Sequence, residues 1–301
     1  MTRYSFRYST TWLFVSILAV ASSIAQSGQP NYEPPQPSAE FGTLEATAKI
    51  AANAQALDIV GIKIGTSAKA AQDAAKAHSP NLQLAPQYKF TFESLPGTVI
   101  TPVYSGQAKT ADGGTDYIGV LLTTPPNAPL VYGVWRELSF GKPESRPTID
   151  YLVSGLRKKY GQESVADDSL LLWVFNAQRQ QVMGAKASEI WQKCANQWGV
   201  GSFYDQTTIM TQMTKGFYGV SDGKDYLGGI CHLHSLVQAR YLADQPAGAS
   251  QPLVMDLKIS ISNQQLHASG VTATYALLTQ DAARLDKKKN DEASKRAAPK
   301  F

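Results

Sequence analysis

Few residues in this chain could carry covalent or metal chemistry. There are two cysteines and four histidines in 301 residues, and they cluster in sequence only at Cys231-His232-Leu233-His234. On an extended strand His232 and His234 project from one face, close enough to share a zinc or copper ion, while Cys231 points the other way. Two ligands fall short of the three or four that protein zinc sites use. A metal-binding protein or hydrolytic enzyme using His232 and His234 is therefore the alternative reading. A second functional reading makes Cys231 a nucleophile with a neighbouring histidine as base, which requires Cys194 to be unpaired.

The compartment bears on that choice. Arg3 and Arg7 precede an apolar run from Trp12 to Ala21, and Ser23-Ile24-Ala25 supplies small residues before a cut. This is the layout of a secretory signal peptide over 1–25, with cleavage expected after Ala25. The 14 residues from Trp12 to Ala25 are fewer than the roughly 20 that a helix needs to span a bilayer. No cysteine lies near the cut, so lipid attachment is not expected there, and the expected location is the periplasm or the secreted fraction. In such an oxidising setting Cys194 and Cys231 are expected to form a disulfide. Closing that loop would contribute about 4 kcal/mol on chain-entropy grounds.

Composition excludes other classes. The chain is 43% hydrophobic and 17% charged, enough to bury a sizeable core. The formal charge of +4 falls to +2 when Arg3 and Arg7 leave with the signal, which gives no footprint for nucleic acid or an anionic membrane. The zinc-peptidase pattern H-E-x-x-H is absent. Gly219-Val220-Ser221-Asp222-Gly223-Lys224-Asp225 is one residue short of a phosphate loop and reads as turn chemistry. Gly199-Val200-Gly201 lacks the third glycine of a dinucleotide loop.

The elements that must position these residues are a mixture of strands and helices. Tyr88 to Glu93, Val134 to Phe140 and Leu253 to Ile261 alternate apolar and polar residues, as antiparallel strands do when one face is covered and the other is wet. Leu170 to Phe175 is apolar on both faces and predicts a central strand covered on both sides. One helix is expected from a Thr66 or Ser67 cap to His78, with an alanine stripe that allows close packing. A second contains Ile149, Leu152, Val153, Leu156 and Tyr160, opens with Pro147 in its first turn and stops at Gly161. A third is expected from about Ala268 to Leu285. Strands in succession between helices predict an α+β protein with mainly antiparallel sheets, helices packed on one face, and two similar helix-plus-sheet halves.

The expected divisions are a Pro-rich flexible leader over 26–42, an N-terminal α+β unit over 43–180, a C-terminal α+β unit with the disulfide over 181–285, and a charged tail over 286–301. Arg284 to Lys300 holds seven basic and three acidic residues, which suits a solvated helix end. Aromatic residues crowd the stretch from Trp191 to Tyr218, and its poor periodicity suits a binding loop. Trp191, Trp198, Phe203, Tyr204, Phe217 and Tyr218 are its candidate binding-surface residues.

Asp58-Ile59-Val60-Gly61-Ile62-Lys63-Ile64-Gly65-Thr66-Ser67, followed by the alanine helix, resembles the opening of bacterial envelope proteins with a β-lactamase-inhibitor-protein-like repeat. In that group a short strand-turn precedes a helix and a meander of strands. Its members include lipoproteins that accompany the outer-membrane β-barrel assembly machinery and proteinaceous enzyme inhibitors. The resemblance implies protein binding rather than catalysis, with an envelope protein or peptidoglycan component as partner.

Overall fold

The computed structural model describes residues 57–87, 90–91, 99–100, 103–126, 128–198 and 233–295. Short strands β1 (Asp58–Ile59) and β2 (Ile62–Lys63) form a hairpin across Val60-Gly61, both at positive φ. The Asp58 carboxylate accepts from the Gly61 backbone N–H and steadies this turn. Helix α1 (Ala68–His78) follows, capped by the Ser67 hydroxyl, and buries only Ala71 and Ala75. That methyl-sized stripe lets its axis approach the sheet closely.

Strand β3 (Ala85–Pro86) is short, and β4 (Phe90–Thr91) pairs with β5 (Val99–Ile100) in a small separate sheet. The meander β6 (Val103–Lys109), β7 (Thr115–Leu122) and β8 (Val131–Ser139) comes next. A 3-10 turn (Pro143–Ser145) leads to α2 (Ile149–Tyr160), then β9 (Val165–Asp167), β10 (Leu170–Asn176), β11 (Gln181–Val182) and α3 (Gly184–Trp198). The described chain ends with β12 (Leu233–Asp244), β13 (Leu253–Asn263) and α4 (Gln264–Ser294). Among the described residues, no helix is long and apolar enough to cross a membrane.

The main sheet has nine strands and runs β11-β10-β12-β13-β8-β7-β6-β3, with β9 also paired to β10. Every pairing within it is antiparallel. The chain is thus α+β, and two equivalent halves meet at its centre. Each half is a helix followed by three strands laid from the outside inward: α1 then β6, β7, β8, and α2 then β10, β12, β13. The helix caps are held identically. Ser67 bridges to Leu130 at the start of β8, and Thr148 bridges to Leu253 at the start of β13. The Val131 N–H donates to the Thr66 carbonyl, and the Val254 N–H donates to the Pro147 carbonyl. Residues 253 less 130, and 259 less 136, both give 123, so a pseudo-two-fold axis normal to the sheet passes through the directly opposed pair Arg136 and Ile259.

Such an axis keeps both helices on one face. His78 of α1 reaches Asp116 of β7, and Tyr160 of α2 lies against Trp173 of β10 with ring centroids 5.5 Å apart. Ile118, Val134, Ile259, Ile261, Val237 and Trp173 fill this face and are all buried. One ion cluster interrupts it. Asp116 accepts from Arg136 Nε and Nη2 at 2.8 Å each, and from the His78 ring at 2.8 Å. Burial opposes its charge, but the bonds from Arg136 and His78 prevail and hold the carboxyl below the usual aspartate value.

Several elements differ from the sequence-based expectations. Helix α2 begins at Ile149, two residues after Pro147, with Thr148 as cap, so Pro147 lies outside the first turn and serves through its carbonyl. Strand β10 is buried on both faces as expected, yet it lies near a sheet edge; the centre belongs to β13 and β8. The division between 180 and 181 falls just before β11, which pairs with β10 within one continuous sheet. Helix α3 occupies part of the stretch read as irregular. Helix α4 starts at once from β13, capped by Asn263, and continues to Ser294, so the charged segment after Leu285 is helical and exposed as far as it is described. Residues 26–56 lie outside the described residues.

Candidate functional site

The face away from α1 and α2 carries the site. Directly opposed residues in antiparallel strands share a face, so the register arranges it in rows that cross the strands. The outermost row is Lys109, Thr115, Ser139, Asp256 and Leu242. The next is Gln107, Tyr117, Glu137, Lys258, Arg240 and Leu170. Then come Ser105, Gly119, Trp135, Ser260, Gln238 and Leu172, one row further in.

These rows differ sharply in exposure. The two outer ones are half-buried to exposed throughout, and Leu242 is 56% exposed. Within them Lys258 pairs with Glu137 at 3.2 Å, and the Ser139 hydroxyl donates to Asp256 at 2.5 Å. Arg240 is exposed and has no ion-pair partner among the described residues. The third row is buried from end to end. Gly119 leaves the space that the Trp135 indole fills, since a Cβ at 119 would stand 2.0 Å from the ring. Tyr117 flanks that indole, its ring centroid 6.1 Å away. Thus the strand alternation expected at Val134 to Phe140 and Leu253 to Ile261 holds in pattern, but its polar face is wet only over the outer rows.

Gln238 is the anomaly. It is 0% exposed, and neither its Nε2 nor its Oε1 has a hydrogen-bond partner among the described residues. An unsatisfied buried polar group costs about 1–3 kcal/mol, so a primary amide with both ends unpaired is a substantial loss that a leucine would avoid. In sequence Val237-Gln238-Ala239 is an ordinary strand segment, and only the register and burial mark its amide.

The chemistry expected at His232 and His234 divides. His234 is 1% exposed, with Nδ1 2.8 Å from the Ser235 hydroxyl and Nε2 3.5 Å from the Asn263 amide nitrogen. Burial first, and Arg179 second, pushes its pKa down to about 4, so the ring is neutral. His232 and Cys231 lie outside the described residues, as do Phe203, Tyr204, Phe217 and Tyr218. Among the described residues, no three His, Cys, Asp or Glu side chains gather closely enough to hold a metal ion. Cys194 and Trp198 lie on α3, and only their backbone placement is described. Trp191 packs from α3 onto the cluster of Leu172, Val174 and Leu236, its indole N–H buried without a partner among the described residues.

Two further spacings occur in the sequence. Gly219-Val220-Ser221-Asp222-Gly223 satisfies the nucleophile-elbow spacing G-x-S-x-G, and Ser221 to Lys224 satisfies S-x-x-K. Both lie outside the described residues. S-x-x-K recurs at Ser139 to Lys142, where the serine ends a strand and donates to Asp256.

No protein family, curated protein or solved structure is detectably similar to this chain. Its function is therefore argued from the site.

Proposed function

We propose that this is an exported, disulfide-bridged binding protein of the bacterial envelope, which holds another envelope protein or a peptidoglycan component against the two open rows of its sheet. The observation that carries the reading is the exposure step across that face. The outer rows present Tyr117, Arg240 and Leu242 to solvent, while the row behind them is a buried floor. Tyrosine and arginine are enriched where interfaces concentrate their energy, and a rigid sheet offers them at low entropic cost. The paired helix-plus-meander halves favour the resemblance to β-lactamase-inhibitor-protein-like repeat proteins, and through it protein binding.

The test is site-specific photocrosslinking in the producing cell. A photoreactive residue at Gln107 or Lys258 is expected to give a discrete adduct, and one at Tyr151, which is exposed on α2 away from this face, is expected to give none. Adducts from Tyr151 alone would overturn the reading. Export is tested on the same cells: processing after Ala25, recovery outside the cytoplasm, and no free thiol in the unreduced protein are expected. An unprocessed cytoplasmic product with two free thiols would return Cys231 to consideration as a nucleophile.

A further inference from the structure

We infer that an amphipathic helix of the bound partner docks across β8, β13 and β12 over Leu242, in the place that α4 holds at the other end of the same face. The inference rests on the binding reading above and specifies what the partner presents.

The internal two-fold carries it. Leu121 is directly opposed to Gly133, and Leu242 to Asp256; 256 less 133 is again 123, so Leu242 is the counterpart of Leu121. Both ladders shift register at the next residue, Leu122 in one half and Ala243 in the other, so the local backbone matches as well. Leu121 is 1% exposed and Leu242 is 56% exposed. What differs between the halves is the element after the last strand. Strand β13 runs directly into α4, which stacks His267 on Tyr132 and brings Gly270 against Thr123. Strand β8 runs instead into the 3-10 turn and on to α2, so the first half has no counterpart of α4. Symmetry puts the seat of that missing helix on Leu242 and on half-buried Met255, the counterpart of Tyr132.

The sheet also selects a helix over a strand. β8, β13 and β12 are interior strands, paired on both sides. An extended segment finds no edge to pair with there, whereas a helix satisfies its own backbone bonds. Charge then sets the flank. Within the footprint Lys258 is paired with Glu137, and Asp256 accepts from the Ser139 hydroxyl. Arg240 is exposed and lies two residues from Leu242, about 7 Å along β12. Lys109 is exposed too, but it belongs to β6, two strands beyond β8 and outside the footprint. The docked helix therefore turns an apolar stripe to Leu242 and Met255, and a carboxylate on its flank to the Arg240 guanidinium.

The experiment is calorimetric titration of the mature, full-length protein with a synthetic helix of about 18 residues. It is built of alanine with leucines at helical spacing and glutamates along one flank. One control carries lysines in place of the glutamates, and another carries a central proline that breaks the helix. The glutamate peptide is expected to bind in the micromolar range, and each control at least tenfold more weakly. Leu242→Ser should weaken the glutamate peptide at least tenfold. Arg240→Glu should reverse the preference between glutamate and lysine peptides, and Lys109→Glu should change affinity less than twofold. Both seat residues are exposed, so their variants are expected to fold; Leu242→Thr replaces Leu242→Ser if that protein does not. No binding at millimolar concentration, binding that survives the proline, an unchanged preference in Arg240→Glu, or full affinity in the Leu242 variant would overturn the inference. In the producing cell, a photoreactive residue at Leu242 is expected to crosslink to another protein at residues of helical spacing. An adduct with a second copy of this chain, or with an extended segment, would also overturn it. If crosslinks form at Gln107 and Lys258 while the peptide fails, the helix is wrong and the surface stands. If the peptide binds and no crosslink forms at any of these positions, the seat stands and the envelope partner falls.

Discussion

Replacing Gly119 by alanine tests the floor of the site most directly. The added Cβ would lie 2.0, 2.1 and 2.3 Å from three carbons of the Trp135 indole, where ordinary contact begins at 3.4 Å. The ring must therefore move by more than an ångström, and at 2% exposure it has no solvent to move into. Overpacking of this kind costs about 1–3 kcal/mol. Alanine stiffens the unfolded chain and returns about 0.4–1 kcal/mol, so a net loss of about 1–2 kcal/mol is expected. Trp135→Leu removes the clash, though it sacrifices buried area and is itself destabilising. In that background Gly119→Ala should be neutral or slightly stabilising, a coupling of about 2 kcal/mol across the cycle. Urea unfolding followed by circular dichroism reads all four proteins. Equal effects of Gly119→Ala in the two backgrounds would refute the claim that the glycine exists to seat the indole.

Three other outcomes follow from the same packing. His234 and His267 both have pKa values pushed down to about 4 by burial, against 6.5 when unfolded, so the unfolded chain binds the extra protons. Their contribution is complete above pH 6.5 and is lost as the pH falls from 6.5 towards 4, by up to ~3 kcal/mol each. His267→Phe, which keeps a ring stacked on Tyr132, should shrink that slope in urea midpoints taken from pH 7.5 to 5; an unchanged slope would refute the assignment. Asp116→Asn strips Arg136 and His78 of a carboxylate that is 5% exposed and should cost about 3–5 kcal/mol by denaturant titration; a loss under 1 would show the cluster to be solvated. Deleting 286–301, whose described part is exposed, should move the midpoint by less than about 0.5 kcal/mol equivalent, and a larger loss would mean that this segment packs.

Local rules made much of the fold legible. Ser67, Thr148 and Gly161 mark helix ends by cap chemistry that depends on a few adjacent atoms, and the alternation in β8 and β13 gave the faces correctly. Sequence could not give the strand order, because the pairing of β8 with β13 joins residues more than a hundred positions apart. Nor could it give how far the polar face stays wet. Ser260 and Ser262 look solvent-facing by period, yet they are 4% and 1% exposed. At the site, His234 was singled out by its neighbours in sequence, and the structure seats it in the core. Gln238, Arg240 and Leu242 are an ordinary amide, cation and leucine on one strand until the register shows which is buried and which is exposed.

The two-fold sheet explains why one face is open at one end. Symmetry puts α1 and α2 together on the same side, so the opposite face must be covered by whatever breaks the symmetry. Helix α3, inserted only in the second half, packs over Leu172, Val174 and Leu236. Helix α4 leaves β13 at Asn263 and lies across the ends of β7 and β8, where Gly270 meets Thr123 and the Thr274 hydroxyl reaches Thr124 at 2.6 Å. The open rows lie at the other end of β13, at Asp256 and Lys258, seven and five residues before Asn263 and about 17–23 Å away. Anchoring α4 and keeping the outer rows clear are therefore separable. Asn263→Ala removes the side chain that accepts from the Leu266 N–H at 2.8 Å and should cost about 1–2 kcal/mol. Protease cutting should rise within 264–280 while crosslinking from Gln107 and Lys258 is unchanged. Loss of those crosslinks in a folded Asn263→Ala protein would show instead that α4 shapes the binding face, and the division of labour between the two ends of the sheet would have to be abandoned.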